Sequence, residues 1–196
     1  MDVITTHINA DFDTIASMLA AHKLYPDAVT VLPGSQEESV KWFLVQSAFY
    51  TLPMRKPREI DLDKVTRLIL VDIRNSTRIG VFGELVGKPG VELHIYDHHP
   101  DEASDMKGAV EVIRAVGSTT TILVQILKER AIPITPDEAT VMMLGIYEDT
   151  GSLAFPSTTV DDYLAAAHLL SCGARLALVS DILARELTSD QISLLY

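Results

Sequence analysis

Cysteine is almost missing from this chain. Cys172 stands alone among 196 residues, so no disulfide can close within it, and a reducing, cytoplasmic setting is expected. Basic side chains are also scarce: 16 Lys and Arg face 27 Asp and Glu, for a formal charge of −11. That balance argues against a simple nucleic-acid clamp, which needs a cationic surface. Long apolar runs are lacking. The richest stretches, Thr140–Tyr147 and Leu164–Leu170, are short and interrupted, so no membrane span is expected. The opening Met1-Asp2-Val3-Ile4-Thr5-Thr6-His7 has neither the basic start nor the apolar core of a signal peptide. No Gly-x-Gly-x-x-Gly segment occurs, which disfavours an ordinary dinucleotide-binding domain.

What is present suits a packed domain. Apolar residues make up 47% of the chain, enough for a core and too many for a disordered acidic tail. Short β-rich runs alternate with segments of helical spacing. Val3–His7, Ala28–Leu32, Leu68–Val71, Val91–Tyr96 and Val110–Val116 predict strands. Ile15–Leu24, Glu37–Tyr50, a segment opened by Gly117-Ser118 and ending near Arg130, and one opened by Thr135-Pro136-Asp137-Glu138 predict helices. Proline just after a threonine cap is a helix-start signal. Such alternation implies an α/β fold with a doubly wound, mainly parallel sheet. Beyond Pro136 the strand signal fades, and a helical C-terminal third is expected. Pro53–Lys64 has the character of a solvated loop.

Near the end, Thr188-Ser189-Asp190-Gln191 has the form of a capping box. It predicts a domain over residues 1–187 and, in 188–196, the start of a linker helix towards a further domain.

The ionisable residues gather at the predicted strand ends. His7, Asp11 and Asp13 follow the first strand, Asp72 ends the third, and Asp97-His98-His99 end the fourth. In a parallel sheet those ends share one edge, where such folds bind ligands. Asp149 ends a helix that can pack over the same edge. Two like charges about 4 Å apart repel by roughly 4 kcal/mol at an effective dielectric near 20. Four or five carboxylates in one pocket would therefore exhaust a folding stability of about 5–15 kcal/mol. They must be dispersed, protonated or neutralised by cations. Carboxylates mixed with imidazoles, and no thiolate, favour Mn²⁺, with Mg²⁺, Co²⁺ or Zn²⁺ as alternatives.

Other residues invite plainer expectations. His22 and His168 lie on apolar helical stretches, away from any ligand set, and Cys172 is expected to be inert packing. Trp42, Phe43 and Phe49 suit a core or a domain contact. Arg74 and Arg78 follow Asp72 closely, so one could reach phosphate or pair with an acid, and the acid pair is the expectation. His94 alternates within a strand, and a role behind the site is a minor expectation for it.

Taken together, His7-Ile8-Asn9-Ala10-Asp11-Phe12-Asp13, Val71-Asp72, Asp97-His98-His99 and Asp149-Thr150-Gly151 resemble the DHH phosphoesterase superfamily. The likeness implies that His7 and Asp11 hold one metal, that Asp13, His98 and Asp149 hold a second, and that Asp72 bridges them. It further implies that Asp97 orients an imidazole from behind, that His99 meets the scissile phosphate, and that Ser118 and Thr119, at a helix start, contribute phosphate contacts. Asp72 and His99 are thus the expected catalytic pair. Asn9-Ala10-Asp11-Phe12-Asp13, Lys23-Leu24-Tyr25-Pro26-Asp27-Ala28 and Pro33-Gly34-Ser35-Gln36 are most similar to the DHH domain of large bacterial proteins that also carry CBS and poly(A) polymerase/tRNA nucleotidyltransferase domains. Neither a Gly-Gly-Gly-His nor an Arg-Gly-Gly segment occurs, so the lobe that grips substrate in relatives has no counterpart here.

The expectation is a two-metal phosphoesterase acting on nucleotides or short oligonucleotides, completed by a C-terminal substrate-binding, CBS or nucleotidyltransferase domain. Two alternatives remain at this point: a non-catalytic metal- or nucleotide-binding module, and a manganese-dependent inorganic pyrophosphatase. Homo-oligomerisation is left open.

Overall fold

A computed structural model describes residues 1–41, 52–99 and 105–193, with side chains as far as residue 184. Six strands form one all-parallel sheet: β1 (Asp2–Thr5), β2 (Val29–Val31), β3 (Met54–Arg55), β4 (Arg67–Val71), β5 (Glu92–Asp97) and β6 (Val110–Ile113). Their order is β3-β2-β1-β4-β5-β6. The chain winds outwards from β1 in one direction and from β4 in the other. Between β1 and β4 the strand order reverses, and the crevice outside the carboxyl ends there is where open parallel sheets bind ligands.

Central strands covered on both faces lose their polar alternation. That is why Leu68-Ile69-Leu70-Val71 is continuously apolar and fully buried. On one face, Ile4, Ile69, Val71 and Tyr96 belong to a core shared with a layer of α-helices. These are α1 (Phe12–Leu24), α2 (Thr119–Glu129), α3 (Pro136–Asp149) and α4 (Val160–Ser171), followed by α5 (Leu176–Ser193). On the other face, Val3, Leu68, Leu70, Leu93 and Ile95 meet Ile79, Phe82 and Leu85. The described cover there is a set of short 3₁₀ turns, chiefly Ser76–Arg78 and Gly80–Leu85.

The expected helix starts are borne out by their caps. Ser118 Oγ accepts from the N–H of Thr121 at the head of α2. Thr135 and Glu138 close a reciprocal capping box at α3, with Pro136 in its first turn. Asp11 caps α1 by accepting from the N–H of Thr14 at 2.8 Å. The helix expected over Glu37–Tyr50 is present at residues 38–41, and its remainder, with Trp42, Phe43 and Phe49, lies outside the described residues.

Two expectations need correction. Pro53–Lys64 is not wholly loop: Met54–Arg55 forms edge strand β3, paired with Thr30 and Val31. Two residues, one of them an exposed arginine, carry no alternation to detect, and only pairing with β2 makes them a strand. Thr188–Gln191 starts no new helix either, because α5 runs through it from Leu176 to Ser193. No proline or glycine interrupts residues 176–193, so the backbone N–H groups that a capping box would satisfy already have carbonyls four residues back.

A candidate two-cation centre at the sheet switch point

β1, β4 and β5 deliver the predicted residues to one place. Beyond β1 the chain passes His7 and turns into α1, which carries Asp11 and Asp13. Asp72 immediately follows β4, with φ +60°. That left-handed backbone is unfavourable for most side-chain-bearing residues and is best tolerated by Asn and Asp. Asp97 ends β5, with His98 and His99 next to it. From above, α3 brings Glu148 and Asp149 over the crevice.

One ligand atom each from His7, Asp11 and Asp72 lies within 4.8 Å of the others, and the same holds for Asp13, His98 and Asp149. Asp72 stands between these groups. Its Oδ2 is 3.4 Å from His7 Nε2 and its Oδ1 is 3.5 Å from His98 Nε2. All six residues expected to hold metal therefore converge.

The two imidazoles are oriented alike. His7 Nδ1 faces the carbonyl oxygen of Ile8 at 2.8 Å, and His98 Nδ1 faces that of Val116 at 3.1 Å. A carbonyl only accepts, so each Nδ1 carries the proton and each Nε2 turns towards the carboxylates. Buried polar groups normally have hydrogen-bond partners. His98 Nε2 is buried without one, although Asp149 Oδ2 lies 3.2 Å away.

The carboxylates are held as tightly. Thr119 Oγ1 donates to Asp72 Oδ1 at 2.9 Å, and Thr14 Oγ1 donates to Asp72 Oδ2 at 3.1 Å. The backbone N–H groups of Thr119 and Thr120 donate to the two oxygens of Asp13, at 2.8 and 3.0 Å. The positive end of α2 thus faces a carboxylate of the protein itself. Ser118 and Thr119 were expected to meet phosphate, but both are fully buried, with their hydroxyls engaged by Thr121 and Asp72. Asp162 closes the preceding turn by accepting from Gly117 N–H and from the Thr121 and Thr159 hydroxyls.

Behind the centre, Asp97 is completely buried between a guanidinium and an imidazole. Its Oδ2 accepts from Arg74 Nε at 2.7 Å and its Oδ1 from His99 Nδ1 at 2.8 Å. Arg74 thus pairs with an acid, while Arg78 is exposed, with Nη2 3.4 Å from His7 Nδ1. His99 is half exposed at the rim. His94 lies outside the cluster, hydrogen-bonded to the Tyr25 hydroxyl.

The electrostatics show what the cluster lacks. Burial and the Asp72 charge push Asp11 up; burial, Asp72 and Asp149 push Asp13 well above the usual carboxylate range. Burial alone would lower His98, but Asp149, Asp13 and Asp72 outweigh it and raise the imidazole to about 10. His7 moves up for the same reason, through Asp72. Asp72 itself is held low, because three imidazoles overcome its burial. The upward shifts of His7, His98, Asp11 and Asp13 all favour added positive charge at the cluster. Hard oxygens mixed with imidazole nitrogens fit divalent cations such as Mn²⁺ or Mg²⁺.

The profile for the DHH family, N-terminal domain, matches residues 3–146. The chain belongs to the DHH family. It is 53% identical over its whole length to an A-adding tRNA nucleotidyltransferase of Geobacter sulfurreducens, of which it covers 22%. It is 26% identical to a "probable bifunctional oligoribonuclease and PAP phosphatase" of Streptococcus mutans, over 86% of this chain and 51% of that protein. It is 32% identical to a "probable manganese-dependent inorganic pyrophosphatase" of Brevibacillus brevis, over 86% of this chain and 54% of that protein. The chain thus spans about a fifth to a half of these relatives. Among solved structures, an exopolyphosphatase-related protein from Bacteroides fragilis shares the fold, with a TM-score of 0.73 at 18% identity, over 92% of this chain and 55% of that one. Among the described residues, no single helix is long and apolar enough to cross a membrane.

Glu148 was missed by sequence reasoning. It lies beside Asp11 and Asp149, and no local signal distinguished it from any acid near a helix end.

Proposed function

We propose that this DHH chain is a phosphoesterase domain that uses two divalent cations, manganese first among them. It hydrolyses phosphodiester or phosphomonoester bonds of nucleotides and short oligonucleotides, within a larger protein of the tRNA nucleotidyltransferase type. The observation that carries this reading is the matched pair of imidazoles. His7 and His98 are each fixed through Nδ1 to a main-chain carbonyl, and each aims Nε2 into a carboxylate cage divided by Asp72.

In this reading His7 and Asp11 hold one cation, Asp13, His98 and Asp149 hold the other, and Asp72 is shared. Bound cations supply a nucleophilic water at neutral pH and neutralise charge on the phosphoryl oxygens. The protein's own part is orientation. Thr14 and Thr119 fix both oxygens of Asp72, and the α2 N-terminus fixes Asp13. Asp97, steadied by Arg74, turns His99 so that its Nε2 is free to meet a phosphate oxygen at the rim. The domain boundary expected at residue 187 falls inside α5, which runs on to Ser193, and the domain is completed by a C-terminal substrate-binding, CBS or nucleotidyltransferase domain.

The relatives' names support hydrolysis of phosphate esters or anhydrides. The small share of the tRNA nucleotidyltransferase covered favours one rival, a non-catalytic metal-binding module of such a protein. The deciding test is metal analysis of the protein at its natural length, followed by hydrolysis assays in Mn²⁺. Substrates are a generic phosphodiester, a short oligoribonucleotide, a 3′-phosphorylated nucleotide, a cyclic dinucleotide and pyrophosphate. Two Mn²⁺ lost on Asp72→Asn, with turnover of an ester, is the expected result. Two Mn²⁺ without turnover favours the binding module, and preference for pyrophosphate favours a pyrophosphatase. Equal metal content in the wild type and Asp72→Asn overturns the two-cation reading.

A further inference from the structure

The last two residues of α3 are both acidic, at the end of a helix where the macrodipole disfavours negative charge. Asp149 is explained by the centre. Glu148 is not, and its contacts give it a separate task. Its Oε2 accepts from the backbone N–H of Phe12 at 2.6 Å and of Asp13 at 3.2 Å. Phe12 and Asp13 are the first two residues of α1, so these N–H groups have no carbonyl within their own helix. Asp11, the helix's own cap, takes only the next one, from Thr14. A side chain from α3 therefore completes the N-terminus of α1, 136 residues away in sequence.

The arrangement also explains how a third carboxylate is tolerated beside Asp11 and Asp149. The C-terminal end of α3 abuts the N-terminal end of α1, and the positive pole of α1, with the two N–H groups that donate to Glu148, offsets the Glu148 charge.

We propose that Glu148 is a positioning residue that staples α1 to α3. Asp11 and Asp13 ride on α1, Asp149 rides on α3, and the Glu148 clamp sets the spacing between them before any cation arrives. This inference rests on the two-cation reading. Ligands fixed in advance bind metal more tightly because less ordering remains to be done on binding.

The test compares wild type, Glu148→Ala and Glu148→Gln by calorimetric titration with MnCl₂. Asp72→Asn serves as the blank for cations bound elsewhere, and each protein is also melted in EDTA and in Mn²⁺. Glu148→Ala is expected to weaken Mn²⁺ binding about tenfold or more, and its melting temperature should rise less on adding Mn²⁺ than that of the wild type. Glu148→Gln keeps a carbonyl oxygen able to accept both N–H groups, and should stay within about threefold of wild type. A clamp that only stabilises the fold would lower melting equally in EDTA and Mn²⁺ with affinity unchanged, and that result overturns the proposal. So does a Glu148→Gln as weak as Glu148→Ala, which would assign the effect to charge or direct ligation. A wild type that binds no more Mn²⁺ than Asp72→Asn fails the two-cation reading itself.

Discussion

His98 donates its Nδ1 proton to the carbonyl oxygen of Val116, 3.1 Å away, and so leaves Nε2 as the atom that takes up charge in the cage. Without metal that charge is a proton. Burial opposes it, but Asp149, Asp13 and Asp72 prevail and raise the imidazole from 6.5 to about 10. A folded pKa above the unfolded one gives stability that is complete below the unfolded value and fades as pH climbs through the folded value. His7 is shifted in the same direction. In EDTA the melting temperature should therefore fall between pH 6.5 and about 10. In Mn²⁺ the cation takes the proton's place, so affinity should climb across that same window. Melting in EDTA that improves with rising pH would count against this account.

Asp11 caps α1 and also repels its neighbours. Asparagine caps a helix about as well as aspartate does, so Asp11→Asn keeps the bond from Thr14 while removing a charge that burial and Asp72 both disfavour. Chemical unfolding in EDTA should show stability unchanged or improved by up to about 1 kcal/mol. Mn²⁺ affinity should drop about tenfold or more, which is about 1.4 kcal/mol. A variant that loses stability and keeps its metal contradicts the assignment.

Thr119 distinguishes a support role from direct contact with substrate. Thr119→Val retains the β-branched shape and the N–H to Asp13 but deletes the hydroxyl that donates to Asp72. A hydrogen bond to a charged group is worth about 1.5–3 kcal/mol. The expected consequence is weaker Mn²⁺ binding and a fall in kcat of about tenfold or more. Were Thr119 a phosphate contact instead, KM alone would rise and metal affinity would hold.

Gly145 sits where α3 crosses α1. A methyl group there would stand 2.7 Å from the Ala16 Cβ, 2.8 Å from Thr120 Oγ1 and 3.0 Å from the Asp13 Cα. Alanine normally gains about 1 kcal/mol over glycine inside a helix. Overpacking a dense core costs about 1–3 kcal/mol, and here one of the atoms to be displaced belongs to Asp13, a residue of the carboxylate–imidazole cluster. Gly145→Ala should lower stability to urea by about 1–2 kcal/mol and weaken metal binding. A gain in stability would mean that the helices separate freely at this crossing.

Much of this was legible before folding because its signals are local. Apolar runs marked β1, β4 and β5, and Ser118 and Thr135 announced α2 and α3 through bonds to residues within a turn. His7, Asp11, Asp13, Asp72, His98 and Asp149 stood out as acids and imidazoles at strand and helix ends. Strand β3 did not, since two residues at a sheet edge acquire their identity from Thr30 and Val31. Nor did the true employment of Ser118 and Thr119. A helix start looks the same in sequence whether its N–H groups face a phosphate or, as here, the carboxylate of Asp13.

The amino-acid order alone determined the alternation of strands and helices, because periodicity and capping act over a few residues, and the family likeness rested on the motif residues from His7 to Asp13, Asp72, Asp97 to His99 and Asp149. It also supplied too many buried acids for an uncharged pocket. Tertiary structure alone decided which acid faces which imidazole, and that Glu148 bonds to α1. It also decided that the hydroxyls of Thr14 and Thr119 hold the two sides of Asp72. Those contacts join residues 58 and 47 positions apart, and hydrogen bonds reach only about 3 Å, so nothing short of the packed sheet and its helices could bring them together.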